Sequence, residues 1–175
     1  PLHPIAQAYK DAGNKVIIIM GARNKELLIF EDKMRAIADE LIIMTDDGSA
    51  GTKGLVTEPL KKLCEQDPKP DEVVAIGPPI MMKFCAETTR PFNVHTVVSL
   101  NTIMIDGTGM CGCCRVTVDG RTQFVCVDGP EFDGHLVDFD NMMLRMKSFK
   151  PQEQEAFHKC RMEAQAEALA AGGKQ

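Results

Sequence analysis

Four short, almost continuously apolar runs lie in the first hundred residues: KVIIIMG (Lys15–Gly21), LIIMT (Leu41–Thr45), EVVAIG (Glu72–Gly77) and VHTVVS (Val94–Ser99). Runs of this kind predict strands buried on both faces of a sheet. The segments between them carry helical spacing. Residues 4–12 predict a helix ended by Gly13, and further helices are predicted over 25–40, 55–64 and, opened by the Pro78-Pro79 pair, to about Thr89. QDPKPD, before the third run, is a polar linker. Strands alternating with helices of about 10–15 residues mean βαβ units and a parallel sheet, so the class is α/β.

The texture changes after Leu100. A loop rich in glycine and cysteine leads into RVTV, Asp119-Gly120 and RTQFVCV. Two alternating runs around Asp-Gly predict a hairpin with a type I′ turn. Pairing Val118 with Arg121 places Cys126 opposite Cys113 and diagonal to Cys114. The acidic stretch Glu131–Asp140 reads as a solvated loop in preference to a partner surface. A short helix is expected over 139–146, and a tail helix over 151–171 with a stripe of Ala156, Cys160, Ala164 and Ala168. No internal repeat is present.

Three of the strands run out into GARN, TDDGSAGTKG and GPP. Ligands of open parallel sheets bind beyond the carboxyl ends of the strands. Glycine there lets a backbone approach a phosphate or ring, and helix N-termini suit anions. Tight turns, which every such fold needs, fit the same residues.

Composition narrows the partners. The balance of 20 Lys and Arg against 25 Asp and Glu, with no basic block, argues against nucleic acid. No apolar run approaches the ~18 residues of a membrane span, and no signal-peptide pattern opens the chain. The expectation is a soluble, cytoplasmic protein. The chain starts at Pro1 without an initiator methionine, which reads as a fragment.

Seven cysteines are many for such a chain, and Cys111, Cys113, Cys114 and Cys126 lie within sixteen positions. In a reducing compartment such a cluster points to metal ligation before disulfides. Counting from Asp106 gives D-x4-C-x2-C-x11-C. The plant-type 2Fe-2S spacing is C-x4-C-x2-C followed by a remote Cys, so the segment matches it with aspartate in the first ligand position. Glycines 107, 109 and 112 suit a loop whose N–H groups turn inward. A carboxylate is a harder ligand than a thiolate, which shifts the potential of such a centre. Three alternatives stay open. A zinc site ordinarily wants two paired knuckles, whereas here there is one, and no histidine follows until His135. An all-thiolate set of Cys111, Cys113, Cys114 and Cys126 meets the difficulty that adjacent residues of a strand face opposite ways, which makes Cys113 a spare. Buried unreactive thiols describe Cys64, Cys85 and Cys160 better than the cluster. His3, His95 and His158 have no evident chemical company and receive no role.

MIDGTGMCGCCRVTVDG and FVCVDGPEFDGHLVDFD, with GARNKELLIFEDKM, TDDGSAGTKGLVT and AIGPPIMM, resemble a group of ferredoxin-reductase-like proteins. These are the small FAD and 2Fe-2S subunits of NADH-dependent reduced ferredoxin:NADP oxidoreductase and sulfide dehydrogenase. The electron-transfer subunit of dihydroorotate dehydrogenase B is a close relative. The resemblance covers Pro1 to about Lys150. It implies a Rossmann-like pyridine-nucleotide domain at 1–100, with its first strand and a FAD barrel upstream, a 2Fe-2S subdomain at 101–147 and a helical tail at 148–175. Family members of the dihydroorotate type carry cysteine at the first ligand position and the ferredoxin:NADP branch carries aspartate, so Asp106 favours the latter. Cys113 departs from the alanine usual in the family.

Carried over on that resemblance, the metal ligands are Asp106, Cys111, Cys114 and Cys126. The nucleotide meets Gly21 and Arg23 on its adenosine side, the loop Asp46, Asp47 and Gly48, and Gly77, Pro78 and Met81 near the nicotinamide. Whether NAD or NADP is bound stays open. The implied role is an electron wire: hydride from NAD(P)H to FAD, then single electrons through the cluster to a larger flavoprotein partner bearing 4Fe-4S clusters. In the ferredoxin:NADP branch that chemistry is flavin-based electron bifurcation. No catalytic acid, base or nucleophile is expected from this segment, and no complete activity from it alone. A rival of another class is a zinc-stabilised nucleotide-binding module.

Overall fold

The computed structural model describes the backbone of residues 1–172 and the side chains of residues 1–163. In chain order the elements are α1 (Leu2–Asp11), β1 (Ile17–Ala22), α2 (Glu31–Ile37), β2 (Glu40–Thr45), β3 (Thr52–Lys53), α3 (Thr57–Cys64), β4 (Glu72–Ala75), α4 (Pro79–Thr89) and β5 (His95–Ser99). There follow β6 (Arg115–Val118), β7 (Arg121–Phe124), α5 (Val125–Asp128), β8 (Glu131–Asp133), α6 (Phe139–Met146) and α7 (Lys150–Gly172). The side chains of Ala164 and Ala168 in the expected tail stripe lie outside the described residues.

The four expected strands are present, and the mixed α/β architecture with parallel pairing holds. They form two half-sheets rather than one sheet. β1, β2 and β3 pair in parallel, β4 and β5 pair in parallel, and β8 adds antiparallel to β5. Among the described residues β1 and β4 do not hydrogen-bond to each other, so each has one unpaired edge.

The expected helix over 25–40 is shorter. Asn24 Oδ1 accepts the Leu27 N–H and caps a single 3-10 turn, and Phe30 then takes a left-handed backbone (φ 59) that interrupts the run before α2. The glycine loop after β2 contains a strand that periodicity did not show, β3, which delays α3 by two residues. The stretch Glu131–Asp140 is a second correction. Its start is β8, with Val98 opposite Phe132, and Phe132 belongs to the core. A buried aromatic between acids outweighs their tendency to stay solvated.

One apolar cluster joins the parallel strands to the cysteine-bearing half. Met82 of α4, Val98 of β5, Val116 and Val118 of β6, Val125 of α5, and Phe139 and Met142 of α6 all belong to it. A smaller cluster of Ala6, Ile18, Met34 and Ile37 covers the outer face of β1. His95 does have company. Its Nδ1 lies 2.9 Å from Glu72 Oε1, and the other carboxylate oxygen of Glu72 accepts from the Tyr9 hydroxyl, tying α1 to the starts of β4 and β5. Both partners are far from His95 in sequence, so periodicity could not reveal them. Among the described residues no helix is long and apolar enough to cross a membrane.

Candidate metal centre and nucleotide face

The loop 101–114 reaches the hairpin after crossing three glycines in left-handed backbone. Gly109 (φ 81) shows why: a side chain there is both strained and crowded by Val127 at 3.1 Å. The hairpin is in the predicted register, Val118 to Arg121 through Arg115 to Phe124. Asp119 (φ 50) and Gly120 (φ 70) make the turn, as a type I′ geometry requires.

Cys126 is not placed on a strand opposite Cys113. β7 ends at Phe124, whose N–H donates to Asp128 Oδ2 at 2.6 Å and so bends the chain into the short helix α5. That helix swings the Cys126 thiol onto Cys114, with Sγ to Sγ at 3.3 Å. The Cys114 thiol, and after it burial, push the Cys126 thiol above its ordinary range. Two thiolates on one tetrahedral metal with bonds of about 2.3 Å stand about 3.8 Å apart, so this pair is within half an ångström of sharing an ion.

The other two predicted ligands form a second pair. Asp106 accepts from the Thr108 N–H at 2.9 Å and from the Cys111 N–H at 3.2 Å. The Thr108 amide, helped by Cys111, holds its carboxyl below the usual carboxylate range. Cys111 is exposed, and its sulfur receives the Cys113 N–H at 3.4 Å. Among the described residues no three His, Cys, Asp or Glu side chains converge on one point. The arrangement is two pairs, 106 with 111 and 114 with 126, which suits a centre of two irons better than a single zinc. Cys113 faces elsewhere: it lines a small cavity with Thr102, Ile103, Met142, Arg145 and Met146, and the other cysteines do not.

Two groups at this site were not evident from spacing. Arg115 Nη1 donates to the Gly112 carbonyl at 3.0 Å, and Arg145 Nη2 to the Cys113 carbonyl at 3.4 Å. Arg115 adjoins Cys114, a signal within reach of the sequence. Arg145 arrives from α6 by packing alone.

The candidate nucleotide residues sit at the carboxyl ends of β1, β2 and β4. The first two ends are tied together: Asp46 N–H donates to Ala22 O, Asp47 N–H to Arg23 O, and Lys25 N–H to Ser49 Oγ at 2.8 Å. Ser49 holds the Asp47 carboxyl below its ordinary range. The room over two of the glycines is already taken. A Cβ on Gly21 would stand 2.3 Å from Val56 Cγ1, and one on Gly77 would stand 2.4 Å from the Met81 methyl. Gly21 therefore serves the packing of β1 on the start of α3. Gly77 lies under a side chain with a flexible end that a ligand can displace.

Residues 101–138 match the family described as the iron-sulfur cluster binding domain of dihydroorotate dehydrogenase B. The chain is 51% identical over 158 residues to a dihydroorotate dehydrogenase B (NAD(+)) electron transfer subunit homolog of Thermotoga maritima, a match covering 90% of this chain and 55% of the relative. It is 37% identical to a probable electron transfer subunit of Methanocaldococcus jannaschii, covering 79% of this chain and 52% of that one. A solved structure described for flavin-based electron bifurcation by NADH-dependent reduced ferredoxin-NADP oxidoreductase superposes with a TM-score of 0.81 and 49% identity, over 90% of this chain and 56% of the other. The chain thus spans about half the length of the relatives it matches, and it resembles both groups of proteins.

Proposed function

We propose that this chain is the nucleotide- and iron-sulfur-bearing part of an electron-transfer subunit of a flavin and iron-sulfur oxidoreductase. The observation that carries the reading is the pairing of Asp106 with Cys111 and of Cys114 with Cys126, in a segment that matches an iron-sulfur binding domain. When bound, NAD(P)H, FAD and a 2Fe-2S cluster supply hydride transfer and its conversion into single electrons that leave for a larger partner subunit. This chain's share is to hold and orient. Asp106, Cys111, Cys114 and Cys126 would hold the cluster, and the Cys113 N–H already donates to the Cys111 sulfur. The nucleotide meets Arg23 and the backbone of Gly21 on its adenosine side, the loop Asp46 to Gly48, and Gly77, Pro78 and Met81 near the nicotinamide, while the space over Gly21 itself is filled by Val56. Residues 1–100, 101–147 and 148–175 act as nucleotide domain, cluster subdomain and tail.

Asp106 at the first ligand position favours a partner of the ferredoxin:NADP oxidoreductase type. The match of residues 101–138 favours dihydroorotate dehydrogenase B as the second reading. Anaerobic purification followed by iron, sulfide and zinc analysis, with EPR after dithionite reduction, tests the common ground. Iron and sulfide in equal amounts with a rhombic S = 1/2 signal are expected. Stoichiometric zinc without iron, also after anaerobic reconstitution, overturns the reading in favour of the zinc-stabilised module. Reduction of ferredoxin, or oxidation of dihydroorotate, by the assembled complex separates the two partners.

A further inference from the structure

The cluster loop is held from outside by two cations that none of the ligand motifs include. Arg115 lies at the start of β6 and Arg145 on α6, thirty residues later, yet their guanidinium groups take the carbonyls of two successive residues, Gly112 and Cys113, the first of which also accepts the Arg115 backbone N–H at 3.4 Å. In a trans peptide the C=O and the following N–H point in opposite directions. A carbonyl drawn outward therefore turns the next N–H inward. The consequence is visible at the first peptide, where the Cys113 N–H points at Cys111 Sγ, 3.4 Å away.

We propose that Arg115 and Arg145 are positioning residues that clamp these two peptide planes, keep Cys113 out of the ligand set and raise the reduction potential of the cluster. The inference rests on the reading of this loop as a 2Fe-2S site. Two physical effects act in the same direction. Hydrogen bonds donated to ligand sulfur draw off electron density and favour the reduced, more negative state. Two positive charges held against the loop favour it as well, and the half-buried Arg145 is screened less by solvent than the exposed Arg115. The clamp also accounts for Cys113 lining the cavity beside Met142 and Met146: with both of its neighbouring peptides fixed, its side chain is directed away from the metal.

The test is the midpoint potential of the one-electron couple, followed by EPR in a mediated dithionite titration of the iron-loaded protein. Iron and sulfide content are measured in parallel on the wild type, Arg145→Gln, Arg145→Lys and Arg115→Gln. Arg145→Gln is expected to disfavour reduction by roughly tenfold, which is about 59 mV for one electron. Arg145→Lys, keeping the charge but not the fork, falls between it and the wild type. Arg115→Gln gives a smaller drop that fades as salt is raised. Midpoints equal to the wild type in both glutamine variants, with cluster content intact, overturn the proposal. Where Arg145→Gln retains no iron, the exposed Arg115→Gln decides by the same comparison. A wild type without iron instead defeats the functional reading on which the clamp depends.

Discussion

Cys114 and Cys126 are twelve residues apart in sequence and 3.3 Å apart at their sulfur atoms. Two local events bring them there. The Asp119-Gly120 turn reverses the chain, and the Asp128 carboxylate, by capping Phe124, converts what would have been more strand into the helical turn that carries Cys126. At that distance the pair behaves as one donor unit.

Removal of half of that unit is expected to be decisive. Cys126→Ala should yield protein without bound iron after anaerobic reconstitution, measured by iron analysis and by loss of the visible absorption. Asp106→Cys should keep the cluster and change its EPR g values, because a softer donor replaces a carboxylate. An Asp106→Ala protein with an unaltered spectrum would remove the aspartate from the ligand set.

The hairpin turn should matter to stability and to metal together. Gly120 has φ 70, a conformation that costs a residue with a side chain about 1–2 kcal/mol. Gly120→Ala is expected to lower the urea midpoint accordingly and to speed iron loss to a chelator. Unchanged chelation kinetics in a measurably destabilised variant would separate the turn from the metal site.

Gly21 supplies a test of packing at the nucleotide face. Its missing Cβ leaves room for Val56 Cγ1, 2.3 Å from where that carbon would stand. Gly21→Ala should destabilise by about 1–3 kcal/mol through overpacking. Val56→Ala in the same chain should recover most of the loss, giving a coupling energy in a double-mutant cycle by denaturation. Additive effects would show that the strand moves aside.

Cys85 predicts an alkaline limit. Burial pushes its thiol up to about 11. The folded state therefore keeps the proton that the unfolded chain, titrating near 9, gives up. The Cys85 contribution is complete below pH 9 and falls by about 1.4 kcal/mol per pH unit between 9 and 11. Cys85→Val should reduce the slope in pH-dependent denaturation, the raised Cys64, Cys126 and Tyr9 leaving a remainder. Thiol reagents at pH 8 should modify the exposed Cys111 and spare Cys85.

Periodicity and turn chemistry are local properties, and they sufficed for what is local here. The four apolar runs, Pro79 at the first position of α4, the hairpin register at Asp119-Gly120 and helix α6 at Phe139–Met146 all stand as the amino acids predict, because each follows from near neighbours. The spacing of Asp106, Cys111, Cys114 and Cys126 was legible for the same reason. Long-range contacts decided the rest. β8 exists because Phe132 found room beside Val98, His95 gained Glu72, which Tyr9 also holds, from across the sheet edge, and Arg145 reached the Cys113 carbonyl from a helix 32 residues on. The gaps over Gly21 and Gly77 look like ligand space in sequence and hold Val56 and Met81 in three dimensions. Sequence carries the identity of each donor and acceptor, whereas the partner of each is chosen by the shared burial of apolar surface, which no window along the chain contains.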